Sequence, residues 1–462
     1  MNLDSTIVAP ATGNVISALG IVRLSGKEAI RIISEVFVLN NGKGFIKIYK
    51  ANHLYYGTIQ DSNKVIDEVV LSVFLSPHSF TGEDTIEITH HGSLFIQSEI
   101  IKLLIRHGAT MAQRGEFSMR AVLNGKMNLS QSEAVADVIS SNTLSSLSLA
   151  LSQLRGKYNE ELTLLREQFL NIASLLELEI DFSAEQEVFV DRKDLENKLL
   201  KAKDLLTSLT LSFSKGNAFK NGLPVAIIGK PNSGKSTLLN AILKDERAIV
   251  SSTAGTTRDT IEESIQIGGL LVRFIDTAGI RNEGDEIEKQ GIKRSFAAIN
   301  RASVVLLLFD ASTDNIQSIK ELEKYIKTQI NINNKRIIIV INKNDTSKLS
   351  KTDIEILQKN KAVFISAKTS ENIEQLENEI IKDYAKEDLN AKVFVTNLRH
   401  YEALSKALQE VNEALTATTS GISSDLISEN IRSATNYLGE ITGEITTADI
   451  LQNIFSKFCI GK

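Results

Sequence analysis

The spacing of apolar residues changes along the 462-residue chain and predicts different structures in different segments. Up to about residue 121, short β-rich runs such as GIVRLSG, EVVLSVFL and DTIEITHH are bounded by Gly, Asn and Asp, a pattern typical of strands. One helical pattern, SLFIQSEIIKLLIRHG, ends at Gly108, a residue that favours helix ends. We therefore expect an α+β domain over residues 1–121.

A segment almost free of helix breakers follows. Between Lys126 and Lys215, Gly156 is the only glycine and proline is absent; Gly and Pro disfavour a helix interior by about 1 and 3 kcal/mol. Residues 122–220 are therefore predicted to be helical, and the same pattern returns over residues 385–462. The apolar stripe predicted for one of these helices consists of Leu162, Leu165, Phe169, Ile172, Leu175 and Leu176.

Residues 221–384 alternate between strand and helix patterns. The apolar runs PVAIIGK, SVVLLLFDAS and RIIIVINKND are typical of strands that are buried on both faces, as in a parallel sheet. Since this α/β segment separates two helical segments, we expect it to be inserted into one all-α domain.

Composition narrows the class of protein. The formal net charge of −5 disfavours binding of nucleic acid by bulk electrostatics alone. A single cysteine, Cys459, excludes an internal disulfide and a multi-cysteine metal cluster. Apolar runs fall short of the ~18 residues of a membrane span, and the N-terminal residues lack the basic character of a signal peptide. We expect a cytoplasmic protein without membrane contact.

Residues 229–237, GKPNSGKST, fit the phosphate-loop pattern between a predicted strand and a predicted helix. Backbone amides of the turn and the helix N-terminus are expected to bind phosphate. Lys235 is expected to reach the β- and γ-phosphates as a catalytic group, and Ser236 to ligate Mg²⁺. The predicted contacts are Gly229, Asn232, Ser233, Gly234, Lys235, Ser236 and Thr237.

Guanine specificity is predicted from NKND, residues 342–345. A carboxylate at Asp345 can accept hydrogen bonds from guanine N1–H and the exocyclic amine, and adenine offers no such pair; sites of this kind discriminate by ~10⁴-fold. The motif SAK at 366–368 follows, and its Ala367 amide is expected near guanine O6. The predicted base contacts are Asn342, Lys343, Asp345, Ser366, Ala367 and Lys368.

Two further segments complete the predicted GTP site. DTAG, residues 276–279, ends a strand, so Asp276 is expected to hold Mg²⁺ through water and the Gly279 amide to sense the γ-phosphate. In the polar loop SSTAGTTRD, Thr257 is the predicted second Mg²⁺ ligand, whereas Thr256 can equally be a plain loop residue. The predicted contacts are Ser251, Ser252, Thr253, Ala254, Gly255, Thr256, Thr257, Asp276, Thr277, Ala278 and Gly279.

Together these motifs resemble the translation-factor-related GTPases of the Ras-like fold, with one departure. Ile280 follows DTAG where Ras-like enzymes carry Gln, and isoleucine cannot orient the attacking water. Another group must therefore supply polarity and positive charge near the transition state. In other GTPases an arginine finger supplies this charge and raises the rate by ~10³–10⁵-fold. Asn232 is a candidate ligand of a monovalent cation. Glu288 is either a water-positioning group or a solvated carboxylate.

A wider family resemblance is carried by the phosphate-loop asparagine, GTTRD, DTAGI, IVRLSG, SFTGEDTIEI, RGEFSMRAVLNGKMNLSQSEAVADVI and the closing FCIGK. With these motifs, essentially the whole chain resembles the MnmE (TrmE) family of tRNA-modification GTPases. The resemblance implies a Ras-like P-loop GTPase domain whose dimerisation K⁺ supports. It also implies an all-α domain and an N-terminal domain, similar to folate-binding domains, that forms a homodimer.

The resemblance further implies a reaction and its partners. A flavoprotein, MnmG, joins the chain in a heterotetramer or larger complex, and the pair installs a carboxymethylaminomethyl or aminomethyl group on the wobble uridine of tRNA. A tetrahydrofolate derivative (5-formyl- or methylene-tetrahydrofolate) supplies the one-carbon unit, and FAD and NADH act through the partner.

Single residues also receive roles from this resemblance. Asn232 matches the K⁺-binding asparagine, with Ser251, Thr253 and Thr256 in the loop around that ion; Ser236 and Thr257 match the Mg²⁺ ligands, and Glu288 the water-orienting glutamate. The implied folate contacts are Arg23, Glu87, Lys126 and Lys462. Cys459 matches a family cysteine, and its surroundings leave open a nucleophile or a small buried apolar side chain.

Two other functions remain open from the sequence. One is a GTP-dependent switch without base chemistry, such as a ribosome-assembly factor, and the other is a cation-activated GTPase that docks on membranes. The acidic composition favours a tRNA-binding surface that belongs largely to the partner.

Overall fold

The computed structural model describes residues 4–40, 49–62, 64–181, 191–243, 263–275, 298–329, 335–385, 387, 389, 392–445, 451, 454–456, 458 and 461. The chain divides into two compact units. The first comprises Met1–Ala136, Gln153–Glu196 and Glu410–Lys462, and the second comprises Asp137–Ser152 and Asn197–Gln409.

The first unit contains a largely antiparallel sheet. Its strands are β1 (Ile7–Pro10), β2 (Leu19–Ser25), β3 (Phe37–Leu39), β4 (His53–Asp61), β5 (Lys64–Phe74), β6 (Thr85–His91) and β7 (Thr110–Met111). Their order is β3-β4-β5-β6-β2-β1-β7, and among the described strands of this sheet only the β1–β7 pair is parallel. The strands predicted from GIVRLSG, EVVLSVFL and DTIEITHH are present as β2, β5 and β6.

Alternation along these strands separates two faces of the sheet. Val22, Leu24 and Ile88 are fully buried in a core that they share with α1 (Ala29–Val36) and α2 (Leu94–Arg106). Arg23 lies between the first two and faces the other side, because successive side chains of a strand point in opposite directions. The β2–β6 register places Arg23 opposite Glu87.

Further helices lie before and after the α/β segment in the chain, and they are divided between the two units. The helices α3 (Glu116–Leu123), α4 (Leu129–Ser140), α5 (Leu144–Leu154), α6 (Lys157–Asp181) and α7 (Arg192–Asn221) follow one another in the chain, and α12 (Leu398–Thr419) and α13 (Ser424–Thr442) come later. Helix α6 packs against α13, and the other members of its predicted apolar stripe are buried. The prediction is wrong for Leu175, which is 40% exposed, because Leu176 occupies the position one turn after Ile172 and Leu175 lies about 100° away.

The second unit contains the α/β sheet. Its strands are β8 (Leu223–Gly229), β9 (Glu263–Ile267), β10 (Leu270–Phe274), β11 (Val304–Asp310), β12 (Arg336–Asn342) and β13 (Val363–Phe364), with the order β13-β12-β11-β8-β10-β9. The neighbouring helices are α8 (Lys235–Leu243), α9 (Ile316–Gln329), α10 (Lys351–Lys359) and α11 (Ile373–Ile381).

Strand β11 confirms the prediction of strands buried on both faces, since all seven of its residues are buried. Leu306 and Leu308 belong to the core that contains residues of α8 and α11, while Leu307 and Phe309 belong to a second core on the opposite face. Truncating such a leucine to alanine typically costs about 2–5 kcal/mol.

One edge of the α/β sheet departs from the expected parallel arrangement. Strand β9 is antiparallel to β10, and Gly268 and Gly269 join them with φ values of 55° and 82°. Two consecutive positive φ values are characteristic of a two-residue hairpin turn. The GG pair in the sequence was the available signal for this hairpin. In the part of the chain that the structure describes, no helix is both long and apolar enough to cross a bilayer.

Candidate functional site

The carboxyl ends of three parallel strands bring two predicted motifs together. The register pairs Leu308 of β11 with Gly229 at the end of β8, and Asp310 of β11 with Asn342 at the end of β12. Ligands of open α/β sheets bind outside the carboxyl ends of the strands. The phosphate loop and the NKND segment therefore share one edge of the sheet.

The phosphate loop turns back through left-handed backbone conformations. Asn232 has a φ of 63° and Gly234 a φ of 93°. A β-carbon placed on Gly234 would lie 2.3 Å from Asn342 Nδ2, and one placed on Gly229 would lie 2.5 Å from the carbonyl oxygen of Leu308. Close packing therefore requires glycine at both positions. The positive φ is a second reason for glycine at position 234.

Lys235 begins helix α8 and covers the loop with its ammonium group. Its Nζ donates to the carbonyl oxygens of Gly229 and Lys230, at 3.2 and 2.9 Å. The helix N-terminus adds positive potential at the same place. The arrangement presents a cation and backbone amides to an incoming phosphate.

Ser233 provides a test of whether the loop fits a ligand. The residue is 1% exposed, and its Oγ has no hydrogen-bond partner among the described residues. A buried hydroxyl left unsatisfied costs about 1–3 kcal/mol, so a phosphate oxygen reaching this group would relieve that cost. Ser236 is half-buried in the first turn of α8, and Thr237 is exposed.

Asn342 connects the phosphate loop to the SAK motif at residues 366–368. Its side chain is 2% exposed; Nδ2 donates to the Ser233 carbonyl at 2.8 Å, and Oδ1 accepts from the Ala367 amide at 3.0 Å. Ser366 is fully buried and forms a β-bridge with Glu371. One amide side chain thus sets the relative position of the two loops.

Asp345 and Lys368, two further residues of the base motifs, are exposed. Asp345 is exposed in a 3₁₀ turn over Asn344–Thr346, where its carboxylate is accessible to a base. Lys368 is also exposed. The structure therefore brings the described phosphate and base contacts to one edge and leaves the predicted guanine-binding carboxylate open to solvent.

Asp310 was not predicted as a site residue, yet its carboxylate pairs with Lys343, a predicted base contact. Lys343 Nζ donates to Asp310 Oδ2 at 2.6 Å and to the Asn232 carbonyl at 2.9 Å. Burial raises the pKa of the Asp310 carboxyl, but hydrogen bonds from Lys343 and Ser312 outweigh burial, so the pKa lies below its ordinary value of 3.8. The signal was the run SVVLLLFDAS, which places Asp310 at a strand's carboxyl end.

Other predicted contacts lie outside the described residues. These are the K⁺ and Mg²⁺ candidates of the polar loop, the strand-end segment and the candidate water-orienting carboxylate: Ser251, Ser252, Thr253, Ala254, Gly255, Thr256, Thr257, Asp276, Thr277, Ala278, Gly279 and Glu288. Cys459 and Lys462 also lie outside the described residues. Their roles remain predictions.

A second candidate site lies on the face of the first sheet that carries Arg23. Its Nε and Nη2 donate to Glu87 Oε1 at 3.0 and 2.7 Å, and the two side chains are 17% and 24% exposed. Nη1 donates to the carbonyl oxygen of Gly461 at 3.3 Å. The guanidinium carbon lies 5.4 and 5.6 Å from the ring centroids of Phe80 and Phe117, within the range of cation–π attraction.

Lys126 reaches the same region through the loop over residues 76–84. Its exposed side chain donates from Nζ to the Pro77 carbonyl at 2.8 Å, and the loop also carries Phe80, which contacts Arg23. Phe80, Phe117 and Gly461 were not predicted as site residues. All three stood in motifs of the family resemblance, which are SFTGEDTIEI, RGEFSMRAVLNGKMNLSQSEAVADVI and FCIGK.

The parallel sheet, the phosphate loop and the NKND segment define the class of P-loop GTP-binding proteins. Residues 129–459 match the family model "MnmE helical domain", and residues 6–126 match the model "GTP-binding protein TrmE N-terminus". A protein named tRNA modification GTPase MnmE from Flavobacterium psychrophilum is 48% identical over 468 residues, with 100% of each chain covered.

Proteins of the same name from Flavobacterium johnsoniae and Bacteroides thetaiotaomicron are 47% and 45% identical, again with 100% of each chain covered. The chain belongs to the MnmE (TrmE) family of tRNA modification GTPases. A solved structure of the G domain of the FeoB iron transporter from T. maritima is 24% identical, and the match covers 35% of this chain and 97% of that chain at a TM-score of 0.26.

Proposed function

We propose that this chain is a potassium-activated GTPase that acts with a flavoprotein partner on the wobble uridine of tRNA. The product is a carboxymethylaminomethyl or aminomethyl group on carbon 5 of the base. Membership of the family supports GTP hydrolysis in tRNA modification. The finer statement extends the family's chemistry to this chain, and the proposed domains are residues 1–121, 122–220, 221–384 and 385–462.

The position of the Asn342 side chain is the observation that supports GTP binding in this proposal. Because Asn342 bonds both the Ser233 carbonyl and the Ala367 amide, it holds a phosphate-binding loop and a base-binding loop at one fixed separation. One ligand can then place its phosphates in contact with Ser233 and Lys235 and its guanine in contact with Asp345. Such preorganisation lowers the entropic cost of binding.

The cations of the proposal fit the residues present. Ser236 offers a hydroxyl at the start of α8, which suits Mg²⁺, a cation that prefers oxygen ligands. Asn232 is exposed at the tip of the loop, where an amide oxygen suits K⁺. When bound, these ions would supply positive charge next to the transferred phosphoryl group. In the proposal, GTP hydrolysis drives association of two GTPase domains and a conformational change.

The folate-dependent part is supported by the surroundings of Arg23. Arg23 and Lys126 offer donors for an anionic ligand, and Glu87 offers an acceptor for the amine and amide donors of a pteridine. The aromatic rings of Phe80 and Phe117 provide an apolar wall beside them. Tetrahydrofolate carries each of these chemical groups, so the residues fit it.

The test is mass spectrometry of tRNA nucleosides from a strain that lacks this gene. We expect the modified wobble uridine to disappear and to return when the wild-type gene is supplied. The Asp345→Asn variant should not restore the nucleoside, because it loses the contact to guanine. An unchanged nucleoside profile in the deletion strain would contradict the proposal and favour a GTP-dependent switch without base chemistry.

A further inference from the structure

Arg120 carries a charge that is almost completely removed from solvent. Its side chain, in helix α3, is 2% exposed. Nη2 donates to Glu116 Oε1 and Nη1 to the carbonyl oxygen of Ser5, each at 2.8 Å. Nη1 also donates to both carboxylate oxygens of Glu83, at 3.2 and 3.3 Å. One guanidinium thus joins a helix, the N-terminal segment and the loop over residues 76–84.

Stability of the fold is a poor explanation for the burial of this charge. The desolvation cost of a buried ion pair offsets most of the attraction between its charges, and well-packed apolar residues often stabilise a fold equally well. Arg120 Nε also has no hydrogen-bond partner among the described residues, which adds to the cost. A buried ion pair can instead specify one geometry of the segments that it joins. We therefore examine the loop that Glu83 belongs to.

Glu83 also connects this loop to the sheet, through a cluster of buried hydroxyl groups. Its Oε2 accepts from Ser25 Oγ at 3.0 Å. The side-chain oxygens of Ser25, Thr81 and Thr85 lie 2.8–3.2 Å from one another, and these residues are at most 1% exposed. Ser25 and Thr85 are opposite each other on β2 and β6. The loop is therefore bonded to the sheet by two of its own side chains, Thr81 and Glu83.

The residues after Arg120 hold the same loop at two more points. Asn124 Nδ2 donates to the Thr81 carbonyl at 2.7 Å, and Lys126 Nζ donates to the Pro77 carbonyl. Asn124 and Lys126 are exposed, so water competes for their bonds, whereas the guanidinium of Arg120 is buried. We therefore expect the contact between Arg120 and Glu83 to contribute most to the position of the loop.

The loop brings Phe80 to the Arg23 site. The ring centroid of Phe80 lies 5.4 Å from the guanidinium carbon of Arg23. Arg23 and Ser25 are two residues apart on β2, so they project from the same face of the sheet, about 7 Å apart along the strand. The register places Glu87 opposite Arg23 and Thr85 opposite Ser25. The hydroxyl cluster is therefore next to the Arg23 site on one face of the sheet.

We propose that Arg120 is a positioning residue for the Arg23 site. Through Glu83 it fixes the loop over residues 76–84 in the conformation that places Phe80 beside the Arg23 guanidinium. Since Arg120 is itself buried, it acts on a bound ligand only through this loop. That the ligand is a folate rests on the proposed function; the positioning of the loop does not.

The test uses two conservative changes in the full-length chain. Arg120→Lys keeps the positive charge, but an ammonium group lacks the planar fork that bonds several acceptors in fixed directions. Glu83→Gln keeps the size of the side chain and leaves Arg120 paired with Glu116, so it decides the test if Arg120→Lys does not fold. The matched control is Arg106→Lys. Arg106 donates to Asp61 at 2.7 Å in an ion pair whose side chains are 57% and 38% exposed.

Hydrogen exchange measured by mass spectrometry reports on the loop and on the sheet separately. Peptides over residues 76–84 measure opening of the loop, and peptides over β4 measure opening of the sheet. Calorimetric titration measures the affinity for 5-formyl-tetrahydrofolate. The rate of GTP hydrolysis reports on the rest of the protein.

We expect Arg120→Lys to speed exchange in the loop and to weaken binding of 5-formyl-tetrahydrofolate, each by about ten-fold or more, because charge-assisted hydrogen bonds to Glu83 are lost. Glu83→Gln should change both quantities in the same direction by a smaller factor. The double variant should show less than the product of the separate effects, because both changes act on one contact. Exchange in β4 and GTP hydrolysis should stay within about two-fold of wild type, since the opening is local. Arg106→Lys should leave all readouts unchanged.

Wild-type exchange of the loop in both variants would overturn the proposal. Exchange that rises equally in the loop and in β4 would also overturn it, since Arg120 would then stabilise the whole unit. Faster exchange of the loop with unchanged folate affinity would show that the loop does not position the site. If the wild-type chain binds no 5-formyl-tetrahydrofolate, the folate step of the proposed function fails, and the exchange rates still decide whether Arg120 positions the loop.

Discussion

The nucleotide site and the Arg23 site use their sheets in different ways. The first lies at the carboxyl edge of a parallel sheet, where backbone groups of loops do much of the binding and Asn342 fixes the loops. The second lies on the face of a largely antiparallel sheet, where the side chains of Arg23 and Glu87 come from neighbouring strands and Arg23 also bonds the carbonyl of Gly461. Arg23 and Gly461 are 438 positions apart in the chain, whereas Ser233 and Asn342 are 109 apart.

This difference shows which substitutions each site tolerates. In a site built from loop backbone, the sensitive positions are glycines and the side chains that tie the loops together. In a site built on a sheet face, the sensitive positions are the side chains themselves. Variants of one site should therefore leave the other site intact.

The largest expected effect is a change of base preference in the nucleotide site. Asp345→Asn should weaken GTP binding by ~10³–10⁴-fold and favour xanthosine triphosphate, because xanthine presents an oxygen where guanine presents an amine. Competition binding with the two nucleotides measures the change. Retained preference for GTP would show that Asp345 does not contact the base.

The next effect is a dependence of the GTP hydrolysis rate on the monovalent cation. GTP hydrolysis should be at least about ten-fold faster in K⁺ than in Na⁺, because the ion replaces the positive charge of an arginine finger. Asn232→Ala should remove most of that difference, measured as initial rates at constant ionic strength. Equal rates in the two salts would exclude a role for Asn232 in cation binding.

A smaller effect is expected on stability when the two nucleotide loops are uncoupled. Asn342→Ala removes two hydrogen bonds and leaves the Ser233 carbonyl and the Ala367 amide without their partner, which should lower the free energy of unfolding by about 2–3 kcal/mol. Urea denaturation measures the loss. The exposed Asn360→Ala is the control, and an equal effect of both changes would show that the link between the loops contributes nothing.

The smallest expected effect is a pH dependence from the Asp310–Lys343 pair. Because the pKa of Asp310 is lower in the folded chain than its ordinary value of 3.8, the pair stabilises the fold above that pH, and the stability is lost as the pH falls through the folded pKa. Lys343→Met should flatten the dependence below pH ~4 and lower stability at neutral pH by about 1 kcal/mol or less. An unaltered acid profile in Lys343→Met would assign the effect to other carboxyls.

The two sites also differ in how far the sequence predicts them. Gly229, Lys235 and Asn342 follow directly from local motifs and from the rule that parallel strands end at one edge. The run of apolar residues in β11 likewise predicts burial on both faces. These features depend on neighbouring residues and on strand direction alone.

Other features depend on contacts between distant parts of the chain. The sequence does not show that Gly461 contacts Arg23, because no periodicity connects residue 461 to β2. Leu175 was predicted to be buried because spacing alone does not say which of two adjacent leucines faces the partner helix. Asp310 was missed because its role appears only when the register places it beside Lys343.

We propose that one chain holds two independent binding sites, for GTP and for a folate. Calorimetric titration of wild type, Asp345→Asn and Arg23→Ala with GTP and with 5-formyl-tetrahydrofolate tests this independence. We expect Asp345→Asn to lose only GTP binding and Arg23→Ala to lose only folate binding. A wild-type chain that binds no folate, or variants that each lose both ligands, would contradict it.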